Sequence, residues 1–507
     1  MKSVARWASL LLLASGLVAA GCKKKAGKPG ATASPSASAS PGAAAPDAGA
    51  AASERWAGKV ELPGGAKLEF EVRFRADKPP RAKIAIPSQG VPPTELTDVE
   101  YGEVIAFTLQ QPGVKAEALP RFSARRAADG KTAEGTLKQN GMEMVLRLRR
   151  LAEGETLEPP KRPQTPAPPF PYDERPADIK GADGVTLAGT LTVPRDGGPH
   201  PALLLITGTG AQDRDETVFD HKPFGVLADH LTRAGFAVLR LDDRGIGGSG
   251  GDTGASDHEV RITDNLAALA WLAAQPGIDP ARLGLIGHSE GGTVAPMITV
   301  RAAAGKGPKV AFLVLLAGTG LPGVEVMRSQ MELLTRAQGA PPEVLARVMA
   351  GQKRLLDAVM AKADLATLRA AVVKQVEEAL TDVPGLPEAQ KQQMIDGAMA
   401  AVSSAAAQAF IRSDPQVALA KVTCPVLALG GSLDLQVPAQ ANLDAIKAAL
   451  AKAKNTDVTT EVLPGLNHLF QPAKVGVVEE YGEIETTFDP GALDKVTSWL
   501  KSHAGVK

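Results

Sequence analysis

Residues 282–301 read RLGLIGHSEGGTVAPMITVR, and this stretch decides the fold. An apolar run (RLGLIG) enters a tight Gly287-His288-Ser289-Glu290-Gly291 turn, and a helix-forming run (GGTVAPMITVRAAA) leaves it. Strand, turn and helix in immediate succession put a serine at the apex of a strained turn. The flanking glycines let the next helix pass close by. Such a turn lifts the hydroxyl clear of a sheet and aims a helix N-terminus at charge developing beside it. The bare G-x-S-x-G pattern is weak, because Gly247-Gly248-Ser249-Gly250-Gly251 matches it too. Ser249, however, lies past the end of its strand (FAVLRL) and leads into the loop GDTGASD. It reads as a glycine-rich loop, and Ser289 is the candidate nucleophile.

Around this turn, short apolar runs alternate with helical patterns from about residue 177: Ala202–Ile206, Phe236–Leu241, Arg282–Ile286, Val310–Leu316 and Pro425–Leu429, with helical spacing at Pro223–Ala234 and Val260–Ala274. Continuous apolar strands separated by helices predict a parallel sheet covered on both faces. Between about Leu321 and Ser413 no strand pattern occurs. Ala, Leu, Met, Glu and Lys dominate there, predicting a helical cap inserted at about 321–413. Six methionines (327, 331, 349, 360, 394 and 399) lie in it and suit an adaptable apolar wall.

A serine hydroxyl needs a base, and the base needs a carboxylate to fix its tautomer. On a sheet of this kind they follow in the order serine, acid, histidine. Only His468 and His503 follow Ser289. His503 is among the last residues and is expected to fray, so His468, in the loop LPGLNH, is the base. Asp434 follows the strand PVLALGG in the loop SLDLQVP, at the strand end where ligand sites form. Asp444 and Asp457 are alternatives, the first with helical surroundings and the second in a polar turn. Two backbone amides are needed for an oxyanion. Glu290, after the nucleophile, supplies one. Thr209, in Thr207-Gly208-Thr209-Gly210 after the ALLLI strand, supplies the other, with Gly210 its nearest competitor.

Together TGTGAQDRDE (207–216), LDDRGIGGSGGD (241–252), GHSEGG (287–292), CPVLALGGSLDLQVP (424–438) and LPGLNHLFQ (463–471) resemble the α/β-hydrolase superfamily. More narrowly they resemble exported bacterial esterases of the EstD type and the neighbouring serine-aminopeptidase-like hydrolases. The resemblance implies the same Ser289, Asp434 and His468 and hydrolysis of short to medium acyl esters. Thr-Gly-Thr-Gly stands where lipases carry His-Gly-Gly-Gly, which speaks against a true lipase. Asp242 and Arg244 are expected to shape their loop rather than take part in chemistry. A peptidase or amidase of the same fold is the alternative, with Asp213, Arg214 or Asp215 as the site for a charged terminus. A non-catalytic envelope binding protein is the third reading.

The remainder of the 507 residues sets the context. The fold class expected is an α/β-hydrolase sheet with a helical cap, at 177–507, preceded by a small all-β domain. Residues 54–153 alternate apolar and polar, as in KLEFEVRFR (67–75) and MEMVLRLRR (142–150), and predict a small barrel or sandwich with no catalytic cluster. Eight prolines between 159 and 176 mark residues 154–176 as a semi-rigid linker. Residues 1–22 (MKSVARWASLLLLASGLVAAGC) join a basic start to an apolar stretch too short to span a bilayer. They resemble a lipoprotein signal ending at Cys22, with Ala19 where leucine is usual. The small residues of 23–53 predict a disordered tether with a reach of about 30 Å. A lipidated Cys22 would anchor the chain to the cell envelope and leave Cys424 as the one free thiol. Lys plus Arg and Asp plus Glu both number 56, so there is no basic excess for nucleic acid. No metal cluster, phosphate loop or dinucleotide motif is present, so no cofactor is expected. A small-molecule ester and the membrane are the expected partners, and the sequence leaves the oligomeric state open.

Overall fold

The computed structural model describes residues 53–61, 67–75, 77–86, 91–110, 119–139, 142–152, 155, 161–181, 183–381 and 388–506. The signal (1–22), Cys22 and the tether up to residue 52 lie outside them, as does part of the linker. The chain forms two compact units, divided near Pro160.

The N-terminal unit is a closed barrel of eight strands: β1 (Ser53–Glu61), β2 (Lys67–Arg75), β3 (Arg81–Ile86), β4 (Val91–Tyr101), β5 (Val104–Leu109), β6 (Arg121–Arg126), β7 (Thr132–Gln139) and β8 (Met142–Arg150). Each strand pairs antiparallel with the next, and β1 closes on β8. Alternation sends one face of every strand inward, and Trp56, Phe70, Phe74, Phe107 and Phe122 fill the interior. Phe107 stacks on Phe122 at 4.6 Å, and both meet the Phe70 ring edge-on. Of the two all-β forms expected, the barrel is the one found.

The second unit is an eight-stranded sheet. Its strands are β9 (Tyr172–Lys180), β10 (Thr186–Pro194), β11 (His200–Ile206), β12 (Ala237–Leu241), β13 (Ile278–His288), β14 (Phe312–Leu316), β15 (Val426–Gly431) and β16 (Val458–Leu463). They run in the order β16-β15-β14-β13-β11-β12-β10-β9. From β12 through β16 all pairs are parallel, while β10 and β9 add antiparallel. Alternate residues feed opposite cores, so Leu204, Leu285 and Leu313 pack on one face and Leu203, Ile286 and Val314 on the other. This double burial is why the sequence runs are continuous rather than alternating.

The linker assignment needs correction at its C-terminal end. Tyr172–Lys180 is an edge strand paired with β10. The Arg162 guanidinium donates to the carbonyls of Phe219, Gly482 and Ile484, and Gln164 bonds Thr487 and Phe488. Proline at 176 is compatible with a strand because an edge leaves one row of backbone donors unused. The cap between β14 and β15 comprises helices Gly323–Ala337, Pro342–Met360, Leu365–Ala379, Glu388–Ser403 and Ala405–Arg412. Asp364 accepts from Thr367 N at 2.8 Å and Ser404 from Ala407 N at 3.2 Å, each closing a helix start.

Candidate active site

Ser289 sits between β13 and the helix Gly291–Arg301 with φ of +53°, a left-handed conformation that a side chain adopts only under constraint. Its amide donates to Leu316 O at 2.9 Å, tying the turn to the end of β14. A Cβ on Gly287 would lie 2.2 Å from Gly291 O, and one on Gly291 2.2 Å from Ile206 O. The two glycines are therefore required by backbone contact, which is how the helix comes to start directly over the sheet.

Asp434 and His468 lie beyond the C-terminal ends of β15 and β16. His468 Nδ1 is 2.8 Å from Asp434 Oδ2, and both side chains are buried. Asp434 Oδ1 accepts from the amides of Gln436 and Val437, each at 2.8 Å. An ionised carboxylate can only accept, so the bond assigns the proton to Nδ1, which leaves the lone pair on Nε2. The fold brings this pair to the serine turn through His288. Its Nε2 is 3.0 Å from His468 O, and the two rings are 4.9 Å apart. Ser289 Oγ and His468 Nε2 are not hydrogen-bonded to each other. Asp444 is exposed on the helix Ala439–Lys452, with Gln440 as partner, and Asp457 faces His503 at 3.3 Å. Neither approaches His468 by a hydrogen bond. His503 itself is held on the helix Pro490–Ala504, stacked 4.0 Å from Trp499, and does not fray.

Glu290 follows Ser289 in the chain, and Thr209 lines the same cavity as Ser289. Among the described residues neither amide donates to a protein acceptor. Buried charges hold the segments that carry them. Glu216 Oε1 accepts from Gly208 N at 2.6 Å and from His288 Nδ1 at 3.0 Å. Because both His288 nitrogens face acceptors, the ring is held as a cation. Burial opposes this, but Glu216 outweighs it and raises the His288 pKa. Arg261 Nη2 donates to Thr207 O at 2.5 Å, and its Nη1 is 3.4 Å from Glu290 Oε2. His258 Nε2 is 2.8 Å from Glu290 Oε1. Burial works against a charged Glu290, yet Arg261 and then His258 hold its carboxyl below the usual range. Asp243 accepts from Thr207 Oγ1 and Gln212 N, and burial pushes its carboxyl up to about 6. None of these supports was predicted. Glu216 lies in the quoted TGTGAQDRDE and His288 in GHSEGG, but nothing in local spacing pairs them.

The other residues singled out are structural. Ser249 Oγ donates to Asp242 O at 2.7 Å and accepts from Ala188 N at 2.8 Å. Asp242 pairs with Arg214, and Arg244 with Asp183 and Asp264. Asp215 is paired with Arg240 and Lys222, while Asp213 accepts from the amides of Asp215 and Thr217. The three residues considered for a charged terminus are thus spent within their own surroundings.

Ser289 and Thr209 open into a cavity of about 100 Å³ roofed by the cap, with Val326, Met327, Met331, Leu355, Leu356, Phe410 and Ile411 in its wall. Only two of the six cap methionines reach it. Met394 and Met399 pack in the cap's own core, Met349 packs beside Met331 and Leu334, and Met360 is exposed. The methionine-rich wall is therefore smaller than expected.

Residues 183–456, more than half of the chain, match the X-Pro dipeptidyl-peptidase (S15) family. The match takes in Ser289 and Asp434 and stops short of His468. An esterase of Thermotoga maritima, EstD, is 31% identical over 166 residues, 33% of this chain and 37% of that one. An uncharacterized protein of Mycobacterium tuberculosis is 32% identical over 123 residues, 24% and 40% of the two chains. The chain thus spans about two fifths of the length of the curated relatives it matches. Among solved structures, an esterase of Pyrococcus furiosus is covered in full by 69% of this chain at 16% identity and a TM-score of 0.40. A carboxyl esterase of Tuber melanosporum is covered to 90% at 14% identity, also with a TM-score of 0.40. By its sheet, its serine turn and this family match, the chain is an α/β-hydrolase that belongs to the X-Pro dipeptidyl-peptidase (S15) family.

Proposed function

We propose that the protein is a serine hydrolase that cleaves carboxylic esters, with Ser289 as nucleophile, His468 as base and Asp434 as its orienting acid. The observation that carries this reading is the buried 2.8 Å Asp434–His468 pair beyond the same sheet edge as the strained Ser289 turn. His468 Nε2 takes the Ser289 proton as Oγ attacks the carbonyl carbon. The Thr209 and Glu290 amides receive the oxyanion, and the charged imidazole, stabilised by Asp434, protonates the leaving alcohol. Water, activated by the same histidine, then releases the acid and frees Ser289.

Family membership favours a second reading, peptidase action. A dipeptidyl-peptidase substrate ends in a cationic amino group that needs a carboxylate partner in a closed site. The described residues lining the cavity carry no charge, which favours the ester reading. Labelling with a fluorophosphonate separates the hydrolase readings from a binding protein. Wild type and Ser249→Ala are expected to label and Ser289→Ala is not. Labelling of Ser289→Ala would reject the nucleophile. Matched p-nitrophenyl esters and p-nitroanilides then separate esterase from peptidase. We propose in addition that export leaves Cys22 diacylated, which metabolic labelling with a radioactive fatty acid, lost in Cys22→Ala, would test.

A further inference from the structure

We infer that the acyl group accepted by this site carries an uncharged amide rather than bare hydrocarbon, an inference that rests on the ester reading above. Four glutamines from four separate elements line the cavity over Ser289: Gln330, Gln352 and Gln375 from three cap helices and Gln436 from the loop after β15. All are buried, at 5%, 4%, 4% and 5% exposure. Burying an amide is unfavourable unless its donors and acceptor are paired, so a wall meant only for a hydrocarbon chain would not hold four.

The pairing is incomplete. Gln375 Nε2 donates to Gln352 Oε1 at 2.9 Å, and Gln436 Nε2 to the Tyr481 hydroxyl at 2.9 Å. Among the described residues Gln375 Oε1, Gln352 Nε2 and Gln436 Oε1 find no protein partner, and Gln330 finds none for either atom of its amide. None of these atoms is sealed off from water-sized contact. The cavity therefore presents both donors and acceptors beside an otherwise apolar wall, the complement of a group that both donates and accepts. An amide does so, and its neutral charge suits a lining without ions. A carboxylate or ammonium would be buried there without a counter-charge. Ordered water filling the same places is the competing account, in which the glutamines are structural.

The test uses the full chain and three p-nitrophenyl esters: acetate, hexanoate, and N-acetyl-β-alaninate, whose acyl chain matches hexanoate in length but carries an amide. Wild type is expected to show kcat/KM at least about tenfold higher for the amide-bearing ester than for hexanoate, since a site built for hydrogen bonds discriminates against the analogue that lacks them. In Gln330→Leu, and separately in Gln352→Leu with Gln375→Leu, that ratio is expected to fall toward one. Fluorophosphonate labelling of each variant verifies its folded site. Hexanoate hydrolysed as well as the amide-bearing ester by wild type, or an unchanged ratio in both folded variants, would overturn the inference in favour of water-filled structural glutamines. Acetate carries no chain beyond its methyl group, so it serves as the reference for the ester reading alone. If wild type labels with fluorophosphonate but turns over none of the three esters, the ester reading fails and this inference with it.

Discussion

Replacing Arg261 by methionine separates two effects that the structure superimposes on one side chain. Arg261 is 8% exposed and spans the two segments assigned to the oxyanion. Its Nη2 holds Thr207 O, two residues before Thr209, and its Nη1 faces Glu290. Removing it leaves Glu290, 1% exposed, without its cationic guanidinium partner and held by the side chains of His258 and Thr209. Removing one partner of a buried ion pair costs about 3–5 kcal/mol. Displacing one oxyanion amide lowers kcat by about 10²–10³. Arg261→Met is expected to show both losses. Arg261→Met with Glu290→Gln removes the stranded charge while keeping the Glu290 backbone amide. It is expected to recover stability to within about 1–2 kcal/mol of wild type, as replaced buried ion pairs commonly do. Its kcat stays low, because Thr207 O still lacks its donor. Stability is read from the urea dependence of fluorophosphonate labelling, which follows the hydrolase unit, and kcat from p-nitrophenyl acetate turnover.

The pH dependence gives an independent check. Glu290 has a folded pKa below its unfolded value, so its contribution is present above the unfolded value and lost as pH falls through the folded one. Without Arg261, the strongest of the influences that oppose burial is lost, and the folded pKa of Glu290 is expected to rise. Arg261→Met is then expected to be less destabilised at pH 4 than at pH 7. A double variant as unstable as Arg261→Met would refute the charge argument, and one with wild-type kcat would refute the positioning argument.

Asp434→Asn is expected to fold and to lose about 10⁴ in kcat, because an amide nitrogen facing Nδ1 selects the wrong imidazole tautomer; a loss below tenfold would remove Asp434 from the triad. Gly291→Ala places a Cβ 2.2 Å from Ile206 O and is expected to abolish fluorophosphonate labelling, so a soluble variant labelling at the wild-type rate would contradict the elbow geometry. Burial pushes the Cys424 thiol up to about 11, so the folded protein with Cys22 replaced should react slowly with a disulfide reagent at pH 7.5 and rapidly in urea; equal rates would contradict it. The buried His221 imidazole, bonded to Thr487 and Tyr481, has its pKa lowered to about 4, chiefly by burial. Its unfolded form takes up a proton first, so stability attributable to it falls as pH drops from about 6.5 toward 4. An NMR titration midpoint near 6.5 in the folded protein would exclude this.

The sheet was legible, and the residues proposed as the triad could be picked out, because each is written in a contiguous stretch. Ala202–Ile206 and Arg282–Ile286 are buried on both faces, so their apolar character is unbroken, and the serine turn carries its own glycines. Asp434 could be chosen over Asp444 because it follows a strand end, where such sheets place their ligands. The supports of the site were not legible, and the reason is separation along the chain. Arg261 reaches Thr207 across 54 residues, and Glu216 reaches His288 across 72. Each of these side chains resembles an ordinary helix or loop charge until the fold buries it. The same holds for Tyr172–Lys180, whose proline and charges read as linker because an edge strand is only partly buried. It holds most of all for the four glutamines. Three belong to helices whose other buried positions, Thr335 apart, are apolar or glycine, so periodicity assigns them to the core without asking what a buried amide would bond. Their incomplete pairing emerges only when three helices and one loop meet over Ser289. Residues such as the glutamines proposed to select the acyl group are therefore the least legible of all, because what identifies them is an unmet hydrogen-bonding demand, and such a demand belongs to the assembled cavity rather than to any one stretch of chain.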